Sequence, residues 1–296
     1  MSDQQSSWVS LRSSNLVAEI NPLGAQLSIL RDRTGRDLLW DGDPSVWAGR
    51  APLLFPIVGT LNGGSYRLGS RIYALTRHGF ARGRLFEIVD SSPATAVLSL
   101  KADEETLKLY PFRFELDVSF TLDGPTLLVK TWVRNAGDED MPASFGYHPA
   151  FRWPLPFGRT RSSHFIEFSN EEPAPVRRLN PDGLLSPERH ATPISHRRLA
   201  LADMLFQDDV LIFDQIRSRS VTYGADGGPR IQVSYPDMPY LGIWTKPGAN
   251  FICIEPWRGV ADPEGFSGDF TAKTGVFMVA PGAAIPMTMT VTLLEA

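Results

Sequence analysis

The chain has 296 residues, 43% of them hydrophobic, and a formal net charge of −4 with its histidines neutral. That balance leaves no basic footprint for nucleic acid, and no apolar run approaches the ~18 residues that a membrane span requires. A single cysteine, Cys253, excludes an internal disulfide and any multi-cysteine metal site.

The first ten residues, MSDQQSSWVS, are polar and lack the apolar stretch of a secretory signal, so a cytoplasmic location is expected. GRAPLLFPIVGTLNGG at 49–64 sets Arg50 ahead of an apolar run bounded by prolines and followed by loop glycines. TRHGFARG at 76–83 places His78 before Gly79, among Arg77 and Arg82; alone, such a cluster reads as a solvated loop. ADEETLKLYP at 102–111 is the best helical piece, and its proline ends it. RFELDVSFTL at 113–122 and TLLVKTWVRN at 126–135 alternate apolar and polar residues, the pattern of strands with one face on a core.

SFGYHPAFRWPL at 144–155 holds His148 between Tyr147 and Pro149. Proline fixes its own φ and drives the preceding residue toward extended geometry, so His148 sits on a stiff segment. Tyr147, Phe151 and Trp153 are its expected apolar walls. A histidine merely packed at a strand end carries the same local signature. From 154 to 200 the chain is loop-rich and is expected to form a long excursion from the sheets. LFQDDVLIFDQIRSRSV at 205–221 then places Asp208 and Asp209 ahead of an apolar strand, where acidic residues commonly form turns.

RIQVSYP at 230–236 and IPMTMTVTLLEA at 285–296 alternate again, whereas YLGIWTK at 240–246 and FICIEPW at 251–257 are apolar on both faces, as central strands are. In an extended FICIEPW, Phe251, Cys253 and Glu255 share one face and Ile252 and Ile254 the other. A carboxylate ending such a run is unfavourable unless it is paired or used, because burial disfavours its charge. From the strand alone, pairing with Arg258 and a chemical role are equally admissible. Glycine and proline fall mostly between these runs, and no repeat or interdomain linker interrupts them. The expected fold is all-β, one large antiparallel β-sandwich domain over 1–296.

The ordered segments LFPIVG, HGFARG, GYHPAF, DDVLIF and IWTKPGANFICIEPWRG resemble the aldose 1-epimerase (galactose mutarotase-like) family, particularly its LacX-like bacterial branch. The likeness extends from NPLGAQLSIL at 21–30 to the terminal strand. It implies a β-sandwich with an open sugar cleft and a small-molecule sugar as partner. By motif it implies His148 as general acid, Glu255 as general base, and His78 and Arg50 as substrate-binding residues. Asp209 matches a further sugar contact by its place before VLIF, with Asp208 and Asp214 competing for that role. HPAFRW stands where galactose mutarotases carry an HPYFNL-like stretch, which leaves the identity of the sugar open.

The chemistry suits these residues on its own terms. Exchanging α and β anomers requires a proton to leave O1 while the ring oxygen gains one, a task for one base and one acid without cofactor. The five histidines and one cysteine show no metal-ligand spacing such as His-x-x-x-His, so no metal is expected. Trp244, Trp257 and Phe80 are candidate stacking surfaces for a pyranose. Three other readings stand beside this one. A hexose-phosphate 1-epimerase would use Arg77, Arg82 and Arg84 as a phosphate clamp. A non-catalytic carbohydrate-binding module would keep only the fold, and a glycosidase would need two carboxylates flanking the bond. The expected assembly is a monomer or homodimer.

Overall fold

Strict alternation along Phe114–Asp123 and Thr126–Asn135 sends every second residue to one side, so Val118 and Phe120 bury with Leu127 and Val129. Burying one such side chain contributes roughly 1.5–3 kcal/mol. The computed structural model, which describes residues 8–295, shows these two strands at the heart of a nine-stranded antiparallel sheet. Its order is Arg198–Ala200, Phe165–Phe168, Ser220–Gly224, Arg230–Ser234, Ala284–Leu294, Thr126–Asn135, Phe114–Asp123, Thr95–Lys101 and Glu87–Ser91.

A second, eight-stranded sheet runs Leu185–His190, Val176–Leu179, Leu211–Phe213, Tyr240–Trp244, Phe251–Arg258, Phe145–Tyr147 and Leu53–Leu54. Its eighth strand, Ala150–Arg152, pairs with another part of Phe251–Arg258. The two sheets face each other across the main core, making an antiparallel β-sandwich. Tyr147 crosses that core: its hydroxyl donates to the Met287 carbonyl at 2.9 Å and lies 2.9 Å from Thr131 Oγ1. The rings of Phe213 and Phe168, one from each sheet, meet at a tilt with centroids 5.3 Å apart.

The helix forms at Glu104–Leu109. Asp103 accepts the Thr106 amide at 2.7 Å while its own amide donates to Thr106 Oγ1 at 2.8 Å, a reciprocal cap. One expectation is corrected. The 154–200 region is no excursion, because it supplies Phe165–Phe168, Val176–Leu179, Leu185–His190 and Arg198–Ala200 to the two sheets. These are short strands at or near sheet edges, with charged residues on their open faces, so period-two patterning never accumulates. Among the described residues no helix is long and apolar enough to cross a membrane.

Candidate active site

Phe251–Arg258 builds the site because its two faces do different work. Ile252 and Ile254 point into the core between the sheets. Phe251, Cys253 and Trp257 pack in two smaller clusters on the opposite, outer face, and Glu255 shares that face. Its neighbour strand fixes what Glu255 meets. Phe145 pairs with Arg258 and Gly146 with Trp257; after a break, Ala150 pairs with Cys253 and Phe151 with Ile252. The register is unchanged across the break, which places His148 directly opposite Glu255. Residues so placed point to the same face with Cβ atoms about 4.5–5.5 Å apart. Gly146 and Gly242 make room for the Trp257 indole, since a Cβ on them would come within 2.7 Å and 2.6 Å of its ring.

The result is a buried imidazole–carboxylate pair. His148 Nε2 lies 3.1 Å from Glu255 Oε2. The contact is not aligned as a hydrogen bond, so Oε2 lacks a partner, and His148 Nδ1 on the other side of the ring lacks one as well. Burial is the largest influence on both groups. It pushes the His148 imidazole down to about 3, and it raises the Glu255 carboxyl well above the usual range against the pull of Arg77. Trp47 stacks on His148 at 5.1 Å and Trp244 meets it edge-on at 5.9 Å. The walls expected from sequence, Tyr147, Phe151 and Trp153, instead point into the core between the sheets, as alternation along the strands dictates. Arg258 is not the partner of Glu255 either; its guanidinium lies over the Phe277 ring at 4.8 Å.

His78 reaches the same cavity from a different loop. Its backbone is left-handed, with φ of 68°, and Gly79 follows at 73°. A Cβ on Gly79 would sit 2.2 Å from the Phe55 carbonyl oxygen, so only glycine fits there. Gly59 clamps the histidine twice: its carbonyl accepts the His78 amide at 2.9 Å, and its own amide donates to Nδ1 at 3.1 Å. Burial, reinforced by His148 and two arginines, drives the His78 ring well below the ordinary imidazole range. With Nδ1 accepting, the neutral ring carries its proton on Nε2 and offers a donor.

The cavity has a volume of about 300 Å³, and His78, His148, Glu255 and Asp209 all line it. Trp47, Trp244 and Trp257 give it apolar walls, and Arg77 and Arg82 also reach it. Asp209 is the member of the three competing aspartates that is brought here, on a left-handed turn with φ of 62°. Asp214 is instead held by Arg177 at 3.3 Å and Arg189 at 3.2 Å. Arg77 and Asp209 approach to 3.8 Å in a half-exposed, loose pair. Arg50 does not line the cavity: its guanidinium donates to the Ser28 carbonyl at 2.8 Å and sits over Trp8. Phe80 packs in the core against Phe55, and Arg84 turns toward Asp103 at 3.9 Å.

The model of the family described as aldose 1-epimerase matches residues 7–276. The chain belongs to the aldose 1-epimerase family. It is 34% identical over 263 residues to the chromosomal protein LacX of Lactococcus lactis subsp. lactis, covering 86% of this chain and 88% of that protein. A galactose mutarotase related enzyme from Lactobacillus acidophilus superimposes with a TM-score of 0.91 at 31% identity, over 97% of each chain. A galactose mutarotase-like protein from Lactobacillus casei gives 0.89 at 28% identity, over 97% of this chain and 99% of that one.

Within this epimerase-family cavity, two contributors escape sequence reasoning. Trp47 stands in a polar turn, DGDPSVWAGR, and only its proximity to Arg50 in a glycine-bearing loop marks it. Lys273 and Asp262 form a fully buried pair at 2.7 Å, and Lys273 also donates to the Val260 carbonyl at 2.7 Å. They brace the 260–262 segment, whose Ala261 packs on Gly59, the residue that clamps His78. Neither residue sits in a recognisable motif.

Proposed function

We propose that the protein is an aldose 1-epimerase that interconverts the α and β anomers of a free aldose. The observation that carries this reading is the His148–Glu255 pair, 3.1 Å apart in a tryptophan-walled cavity. Burial disfavours charge on either group, so the pair is neutral overall and holds one proton. Burial alone places that proton on the carboxyl. Sugar hydroxyls and the Arg77 guanidinium solvate the carboxylate, and the proton passes to Nε2 across the short contact. Glu255 then takes the O1 proton while His148 protonates the ring oxygen, and the C1–O5 bond breaks to give the open aldehyde. Rotation about C1–C2 presents the other face, and reclosure returns both protons. Each positioned group contributes roughly 10²–10⁴-fold.

His78 Nε2–H, Arg77 and Asp209 are the proposed hydroxyl-binding groups, with an indole face against the apolar side of the pyranose. Of the three arginines of a phosphate clamp only Arg77 and Arg82 reach the cavity, and the Asp209 carboxylate beside Arg77 disfavours a phosphate there, which supports a free aldose. Arg84 is engaged elsewhere, and Arg77 faces Asp209. The test is NMR of anomeric protons for a panel of aldoses, their 6-phosphates and a methyl glycoside. A free aldose should equilibrate faster than in buffer with its anomeric ratio unmoved, and the glycoside, having no O1 proton, should stay unchanged. Release of methanol would indicate a glycosidase. Acceleration of the phosphates alone would move the substrate class, and buffer-level rates throughout would leave a binding module.

A further inference from the structure

The register that sets His148 against Glu255 brings a third group to them. Cys253 lies on the same strand face, two residues before Glu255, and is fully buried. A ring nitrogen of His148, the Cys253 sulfur and a carboxylate oxygen of Glu255 all lie within 4.8 Å of one another. Two of these residues also hold buried polar atoms without a hydrogen-bond partner, His148 Nδ1 and Glu255 Oε2. We propose that this cluster is a latent site for a soft divalent cation of the zinc class, and that occupancy silences the enzyme by engaging both proton-transfer groups. The second half of this statement rests on the acid–base reading of the same pair.

Imidazole, thiolate and carboxylate are the nitrogen, sulfur and oxygen donors that zinc accepts, at bond lengths of about 2.0–2.3 Å. Around one tetrahedral ion such atoms stand roughly 3.3–3.8 Å apart, so the widest separation must close by about 1 Å. Rotation of the Glu255 and Cys253 side chains supplies that movement. Charge favours the ion as well. Coordination releases the thiol proton and the single proton of the His148–Glu255 pair to solvent, leaving two anions and a neutral imidazole around a dication. The assembly is then neutral among Trp40, Ala150, Ala249 and Phe251, an apolar setting that tolerates no net charge. The sulfur donor selects against magnesium and calcium, which take oxygen ligands. The entry path is the cavity itself, because His148 and Glu255 line it.

Cobalt(II) titration provides the direct test, since a cobalt-bound thiolate absorbs in the near ultraviolet. The wild-type protein should develop that band, and Cys253→Ala should not; Cys253→Ser, closer in volume, must lack it too. In the mutarotation assay, micromolar zinc should inhibit the wild type reversibly, with EDTA restoring the rate, while millimolar magnesium should have no effect. Cys253→Ala should keep its metal-free rate and require at least roughly tenfold more zinc for the same inhibition, as loss of one ligand implies. Absence of the band in the wild type, or equal zinc sensitivity in both proteins, would overturn the site. The spectrum needs no substrate, so an inert protein that shows the band overturns the acid–base reading and leaves the coordination standing.

Discussion

The two sheets of this sandwich are built from one chain by opposite rules. Thr126–Asn135 and Ala284–Leu294, 10 and 11 residues long, pair along an unbroken ladder, the first alternating buried and half-buried positions throughout and the second over Met287–Val291. Phe251–Arg258 is buried at every position from Phe251 to Trp257, and its partners Phe145–Tyr147 and Ala150–Arg152 are 3 residues each. The long ladders supply one wall of the core, and Tyr147, Phe151, Ile252 and Ile254 supply the facing one. The short, interrupted ones free a stretch of backbone, His148–Pro149, where proline has no amide to pair and a polar side chain can stand on a buried face. The proposed His148–Glu255 pair therefore stands on the sheet whose strands are short and interrupted.

The sharpest way to break that contrast is Glu255→Gln. The amide keeps shape and loses the base, so turnover should fall by roughly 10²–10⁴-fold while the melting temperature moves only by a few degrees. A large loss of stability with retained turnover per folded molecule would make Glu255 a structural residue. Phe120→Ala, on the nine-stranded sheet, should do the reverse: about 3–5 kcal/mol of stability lost in denaturant unfolding, with turnover per folded molecule intact. Asp209→Asn should act more mildly, raising KM by several-fold (about 0.5–1.5 kcal/mol) with little change in kcat. A fall in kcat alone would place Asp209 in the chemistry rather than in binding. The smallest effect belongs to the outer face of the long ladder. Ser119→Ala, half-buried in Phe114–Asp123, should stay within about 0.5 kcal/mol and leave activity unchanged.

How much of the site was legible depends on whether a residue's role is written beside it in the chain. Glu255 and His148 each stand next to a proline in an apolar run, and that local conflict marked both. His78 was marked only by the resemblance of its HGF motif, since the left-handed turn and close approach that require Gly79 are not visible in the sequence. Trp47, Lys273 and Asp262 carried no such mark, since their roles depend on segments far away in sequence. Where Arg50 stands was hidden for the same reason: its guanidinium donates to the Ser28 carbonyl, from another strand, and does not line the cavity. The 154–200 strands were missed because short edge strands with one solvated face do not repeat a period long enough to see.

The sequence by itself determined the all-β class, the long strands, and the family to which the chain's motifs belong, because side-chain alternation and turn chemistry act locally. It also determined that Cys253 and Glu255 share one face, since that follows from the pleat alone. Only the tertiary structure decided which residues meet. Register across the break at His148–Pro149 set the histidine opposite Glu255 and gathered a nitrogen, a sulfur and an oxygen donor within 4.8 Å, while a separate left-handed turn brought Asp209, rather than Asp208 or Asp214, to the cavity. Pairing between distant strands is fixed by how whole faces bury, and no local stretch of sequence contains that information.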